Sequence, residues 1–147
     1  MLRSLRLIVS SMTQSLLVAA LRYAERYPSQ DGVALTPIAG FAIVRETQPS
    51  ALQYSVSKPL VALSLQGTKR VTLGTNTLDF GVGESLLIIT DVPTFSQITG
   101  ASLTAPYVSL VVELDAAIIE SPVIQMGSMS FSLGAPVRVD HTVARQD

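Results

Sequence analysis

Pro59-Leu60-Val61-Ala62-Leu63-Ser64-Leu65-Gln66-Gly67-Thr68-Lys69-Arg70-Val71-Thr72-Leu73-Gly74 is the stretch that decides the fold. Its first half puts Val61, Leu63 and Leu65 on one face and Ala62, Ser64 and Gln66 on the other, which is the two-residue period of a β-strand. Gly67-Thr68 interrupts that pattern, Lys69 to Leu73 resumes it, and Gly74-Thr75-Asn76 interrupts it again. Short strands cut by such turn residues predict hairpins and antiparallel pairing.

The same punctuation runs outward in both directions. Residues 41–47, 59–66, 69–73, 77–80, 85–90, 95–99 and 107–114 all read as strands rich in Val, Ile, Leu and Thr. Short strands at this spacing predict a sandwich or barrel. Gly81-Val82-Gly83-Glu84 reads as a further hairpin turn; it lacks the following lysine and helix of a phosphate-binding loop. Residues 86–89 are apolar on both faces, as expected of a strand buried between two layers. In 107–114, Val108, Leu110, Val112 and Leu114 form one apolar face, and Tyr107, Ser109 and Glu113 share the other with Val111.

Helices are expected at the two ends. Arg3 and Arg6 before Leu7-Ile8-Val9 loosely mimic a secretory leader, but Ser10-Ser11-Met12-Thr13-Gln14-Ser15 splits the apolar region. The reading adopted is an amphipathic helix with Ser11 as N-cap, Gln14 in the capping-box position, Leu17, Leu21 and Ala24 on one stripe, and Pro28 as terminator. Residues 115–120 predict a short C-terminal helix beginning at Asp115 and ending before Pro122, with Val137 and Val139 offering one last strand.

Composition narrows the function. Ten basic and eleven acidic residues give a net charge of -1, so no basic stripe marks a nucleic-acid surface, and no direct nucleic-acid contact is expected. The apolar runs fall short of the roughly 20 residues that span a bilayer, so no membrane partner is expected. Cysteine is absent, which excludes disulfides and thiolate chemistry and agrees with a cytoplasmic setting. Only 14% of residues are charged, against roughly 25% in average domains, so some surface should be covered by a dimer interface, a second domain or a ligand.

The quoted stretch resembles the N-terminal domain of AraC-type bacterial transcription regulators: an apolar strand ending in Gln66-Gly67, then Lys69-Arg70, then Leu73-Gly74. The resemblance continues through Leu78-Asp79-Phe80-Gly81-Val82-Gly83-Glu84-Ser85-Leu86-Leu87 and Asp91-Val92-Pro93, and returns at Ala105-Pro106-Tyr107 and Leu114-Asp115. It implies a mainly β, cupin-like antiparallel barrel of the jelly-roll type, with its core at about 38–114 and residues 1–147 forming one regulatory domain. It also implies a small-molecule effector, a homodimer, and DNA contact through a C-terminal helix-turn-helix domain for which 1–147 offers no recognition helix. Such a chain is read as an excised domain or a truncated gene.

The chemistry agrees with a non-enzyme that needs no cofactor. Histidine-ligated cupin metal sites need several imidazoles, and the single histidine, His141, lies outside the expected barrel, so no metal is expected. No catalytic triad can be assembled, and no catalytic residue is assigned. Tyr107, Ser109 and Glu113 are candidate ligand contacts on one strand face, and Arg45, with Phe41 and Ile43, is a further candidate. Lys69 and Arg70 are adjacent and so point to opposite faces; one of them reaching toward the barrel mouth is an open alternative, and the favoured reading is a solvated edge charge. Two alternatives are a metal-free cupin isomerase or hydrolase using Glu113 or Asp115 as base, and a dimerisation module whose barrel is filled by its own side chains. An effector site should appear as a cavity of more than about 300 Å³.

Overall fold

The two strands whose alternation is clearest become neighbours at the centre of a sheet. A computed structural model describes residues 2–89, 91–115 and 138–139. In chain order its elements are α1 (Leu2–Arg26), β1 (Val33–Leu35), β2 (Phe41–Glu46), β3 (Gln53–Ser57), β4 (Leu60–Gln66), β5 (Thr68–Leu73), β6 (Asn76–Phe80), β7 (Ser85–Ile88), β8 (Val92–Gly100), β9 (Tyr107–Glu113) and β10 (Arg138–Val139). They form a six-stranded sheet, β1-β2-β9-β4-β7-β10, facing a four-stranded one, β3-β8-β5-β6. Every pairing is antiparallel except β10 on β7, where Arg138 and Val139 run beside Leu86 and Leu87.

The fold has two apolar layers. Between the sheets lie Val71, Leu73, Phe80, Leu86, Ile88 and Val92. On the outer face of the six-stranded sheet, α1 packs Leu17, Ala20 and Ala24 against Ile43, Leu65 and Val108. The buried helical positions Thr13, Leu17, Ala20 and Ala24 recur at the spacing of one helix face, and the two alanines let the helix axis lie close to the strands. Tyr23 ties the helix down by donating its hydroxyl to the Leu35 carbonyl at 2.8 Å.

Three expectations are corrected. The helix begins at Leu2, so Ser11 is not an N-cap; its carbonyl instead accepts the Ser15 hydroxyl at 3.0 Å within the helix. The turns at Gly67 and Gly81–Glu84 are not hairpins: β4 and β7 belong to one sheet, β5 and β6 to the other, so both turns carry the chain across the sandwich. Of the expected hairpins at Gly67, Gly74 and Gly81, only the one at Gly74, between β5 and β6, pairs its two strands. At Gly67, with φ of 79°, a Cβ would stand 2.5 Å from the Gly100 carbonyl oxygen and 2.9 Å from Tyr107 Cα, so no other residue fits that corner. The chain's local signals for turning are the same at a hairpin and at a sheet crossing, which is why periodicity alone did not separate them.

Strands β1 and β3 were not anticipated, and β8 starts at Val92 rather than at residue 95. The expected helix at 115–120 lies outside the described residues beyond Asp115, as does Val137; Val139 lies in β10. Among the described residues no helix is long and apolar enough to cross a membrane.

Candidate functional site

Alternation along β4 and β9 gives the six-stranded sheet two unlike faces. Leu63, Leu65, Val108 and Leu110 turn toward α1. The intervening Ala62, Ser64, Tyr107, Ser109 and Val111 turn toward the other sheet, and the small side chains among them leave a partly open chamber of about 120 Å³. The pairing of β4 with β9 shifts by one residue between Ser64 and Gln66, so that Gln66 rather than Leu65 stands opposite Val108, and Gln66 donates its side-chain amide to the Pro106 carbonyl at 2.8 Å. The turn at 81–84 docks on the same place: Gly83 N donates to Ser64 O at 2.8 Å and Ser64 N to Glu84 O at 3.0 Å. The strand backbone beneath the chamber is therefore tied from both sides.

The opposite wall comes from Lys69 and Val71 of β5, Thr94 and Ser96 of β8, and Ser55 and Ser57 of β3. Leu60, Phe80, Leu86 and Ile88 complete an apolar floor. Tyr107 is 2% exposed. Burial pushes its phenol above the ordinary value, and hydrogen bonds from Ser109 and Ser64 act in the opposite direction. Burial pushes the Lys69 ammonium below its ordinary value. Among the described residues no carboxylate lines the chamber, and Lys69 has no hydrogen-bond or ion-pair partner. Its neighbour Arg70 points outward and pairs with Asp79 at 2.8 Å, with both side chains more than half exposed.

A family model for the N-terminus of AraC-type transcriptional regulators matches residues 37–144. The chain belongs to this family. Solved structures similar to this AraC-type domain include a protein from Neisseria meningitidis, at 11% identity and a TM-score of 0.47 over 64% of this chain and 93% of that one. A cupin-2 domain protein from Shewanella frigidimarina matches at 10% identity and 0.42, covering 61% and 87%. The cupin domain of Drosophila melanogaster CENP-C matches at 17% identity and 0.41, covering 58% and 72%. A comparison with curated proteins found no match.

Within the AraC-type domain, the residues singled out from sequence fall in three places. Tyr107 and Ser109 line the chamber together. Glu113 is on the same face of β9 but beyond the chamber, in an adjoining groove of about 280 Å³ beside Leu35, Ile38 and Gly40. Arg45 is on the other side of the sheet altogether. It pairs in register with Val108, whose side chain packs under α1, and it lines a cleft of about 50 Å³ with Ala24, Pro28 and Ala34, where its Nε is buried without a partner. The face of β2 that carries Phe41, Ile43 and Arg45 is the helix-facing one, so Arg45 cannot reach a ligand in the chamber.

Lys69 is the residue that sequence reasoning misplaced. The signal was present: Val71 and Leu73 share its face and are 3% and 1% exposed, so the two-residue period that buries them also points Lys69 inward. The chamber is also smaller than the 300 Å³ expected of an effector site, because Leu60, Phe80, Leu86 and Ile88 fill one end of the sandwich. Among the described residues no group of three His, Cys, Asp or Glu side chains could hold a metal. His141 lies outside them.

Proposed function

We propose that this chain is the effector-sensing part of an AraC-type transcription regulator, holding a small molecule between its sheets without changing it chemically. The observation that carries this reading is the composition of the chamber wall. Tyr107, Ser64, Ser109 and Thr94 are buried and Lys69 is half-buried, and all five line a partly open space between the sheets that an ordinary core would fill with Leu or Val. Tyr107 hydrogen-bonds with Ser64 and Ser109, and Thr94 donates to the Val92 carbonyl, so it is Lys69, without a partner among the described residues, that favours a polar occupant. The family supplies the context: a domain of this kind biases a DNA-binding domain that is not part of residues 1–147.

A homodimer in the cytoplasm completes the proposal, supported by the low charged fraction and by exposed apolar side chains such as Met12, Val18, Tyr54 and Phe95. Since α1 already spends Leu17, Ala20 and Ala24 on its own sheet, its contribution to a dimer would come from the Met12 and Val18 side. Sedimentation velocity at tens of micromolar should give a species of twice the 15.6 kDa chain mass, and a monomer would count against dimerisation.

The functional test is a thermal-shift screen of small metabolites. A ligand at a hundred times its dissociation constant adds about 2.7 kcal/mol of stability. At this chain length that corresponds to a shift on the order of 5–10 °C. A hit that is consumed with time would replace the sensing role with an enzymatic one. A broad library with no hit would replace it with that of a dimerisation module.

A further inference from the structure

We infer that the chamber's occupant is a small organic monoanion, a carboxylate of about five non-hydrogen atoms whose charge is met by Lys69. This deepens the effector reading and rests on it. Among the described residues the wall presents a single cation and no carboxylate, and Lys69 has no ion-pair partner. A neutral occupant would cover this half-buried ammonium without supplying a counter-charge, and a dianion would bring one negative charge more than the wall can meet. One carboxylate balances it.

The remaining lining fits the same ligand. A carboxylate offers about four lone-pair sites, more than one ammonium fills; the Ser96 hydroxyl has no hydrogen bond among the described residues, and those of Ser64 and Ser109, which bond with Tyr107, and of Thr94, which donates to the Val92 carbonyl, can turn to the ligand by exchanging those bonds. Val71 and Ile88 supply apolar surface for a short carbon skeleton. Size sets the limit: an apolar cavity of about 150 Å³ holds the six carbons of benzene, so about 120 Å³ takes about five atoms by proportion. Burial holds the Lys69 ammonium below its ordinary value, and an adjacent carboxylate would oppose that shift.

The test uses the full chain at neutral pH and constant ionic strength, with propionate, butyrate and lactate, their three primary amides, a neutral sugar and inorganic phosphate as probes. At least one carboxylate should raise the melting temperature while its amide does not. Its affinity by titration calorimetry should fall at least tenfold in Lys69→Met and less in Lys69→Arg, which keeps the charge. Ala62→Leu, which fills the chamber and leaves Lys69 in place, should abolish binding. Equal binding of an amide or the sugar, preference for phosphate, or undiminished carboxylate affinity in Lys69→Met would overturn the monoanion assignment. In each of those cases the effector reading survives if Ala62→Leu still blocks the ligand. Should none of these probes bind, the monoanion assignment falls, and only a failure of the wider metabolite screen as well would remove the effector reading.

Discussion

The two faces of the six-stranded sheet are built from the same strands and have opposite characters. Toward α1, β4 and β9 present Leu63, Leu65, Val108 and Leu110, and the helix closes over them with Leu17, Ala20 and Ala24. Toward the second sheet the alternate residues are Ala62, Ser64, Tyr107, Ser109 and Val111, and the space above them stays partly open. The first face is apolar, closely covered and stabilising; the second gives up part of that burial to keep a polar-lined chamber. Close apolar packing and a polar-lined opening are thus divided across the thickness of one β-strand.

The largest effect that would test this division is expected on the helix side. Leu65 is 1% exposed, and Leu65→Ala should destabilise by about 2–5 kcal/mol, lowering the melting temperature on the order of 10 °C. A drop of only a degree or two would mean that α1 does not hold the sheet as described. The next effect has the opposite sign. Lys69→Met should stabilise the ligand-free chain by roughly 1 kcal/mol, because a sequestered charge is replaced by an apolar side chain of similar length.

That gain should depend on pH. With its folded value pushed below the ordinary 10.5, Lys69 binds fewer protons folded than unfolded, so its cost is full at neutral pH and fades as pH rises toward 10.5. Tyr107, pushed above 10.0, acts the other way: its contribution is present below pH 10.0 and is lost as pH rises through the folded value. The melting-temperature difference between Lys69→Met and the parent chain should therefore shrink from pH 7 to pH 10, and a difference that grows would contradict the placement of Lys69.

Ala62→Leu sharpens the comparison from within the chamber. Making the inner face resemble the outer one should change stability by less than about 1.5 kcal/mol, since the added carbons enter existing space rather than a packed core. A large loss on calorimetric unfolding would show the chamber to be tighter than its volume suggests. The smallest effect belongs to the outward-facing pair on β5 and β6: Arg70→Ala should leave the melting temperature unchanged, because both partners are solvated. A clear shift would mean that this exposed face is covered in the working molecule.

The sequence made the strand faces readable where one face is continuously apolar, as in β4 and β9, and identified residues 86–89 as apolar on both faces; of these 86–88 are buried and Ile89 is half-buried. Pro28 also marked the end of the helix correctly. Legibility failed where local chemistry is shared by different tertiary outcomes. A glycine corner at Gly67 crosses between sheets with the same residues that close a hairpin. Arg45 sits among apolar neighbours on β2, and nothing in its own strand tells which of the two buried faces they belong to. Lys69 was judged by its charge when the burial of Val71 and Leu73 had more authority over its direction. For Glu113, the face was right and the position along the strand, two residues beyond Val111, took it out of the chamber.

The strand order has a consequence for synthesis. In the six-stranded sheet β9 lies between β2 and β4, so the two earlier strands share no hydrogen bonds with one another; β2 has β1 and β4 has β7, but each keeps one open edge until β9 is made. Until residue 113 has left the ribosome, Ile43 and Leu65 have no completed surface on which α1 can settle, and the nascent chain carries unpaired strand edges next to an amphipathic helix. Such long-range closure is intrinsically slow and exposes apolar surface while it waits. A message truncated just before β9 would yield not a smaller domain but an aggregating one, which makes the segment from Tyr107 to Glu113 the point at which this chain becomes a protein.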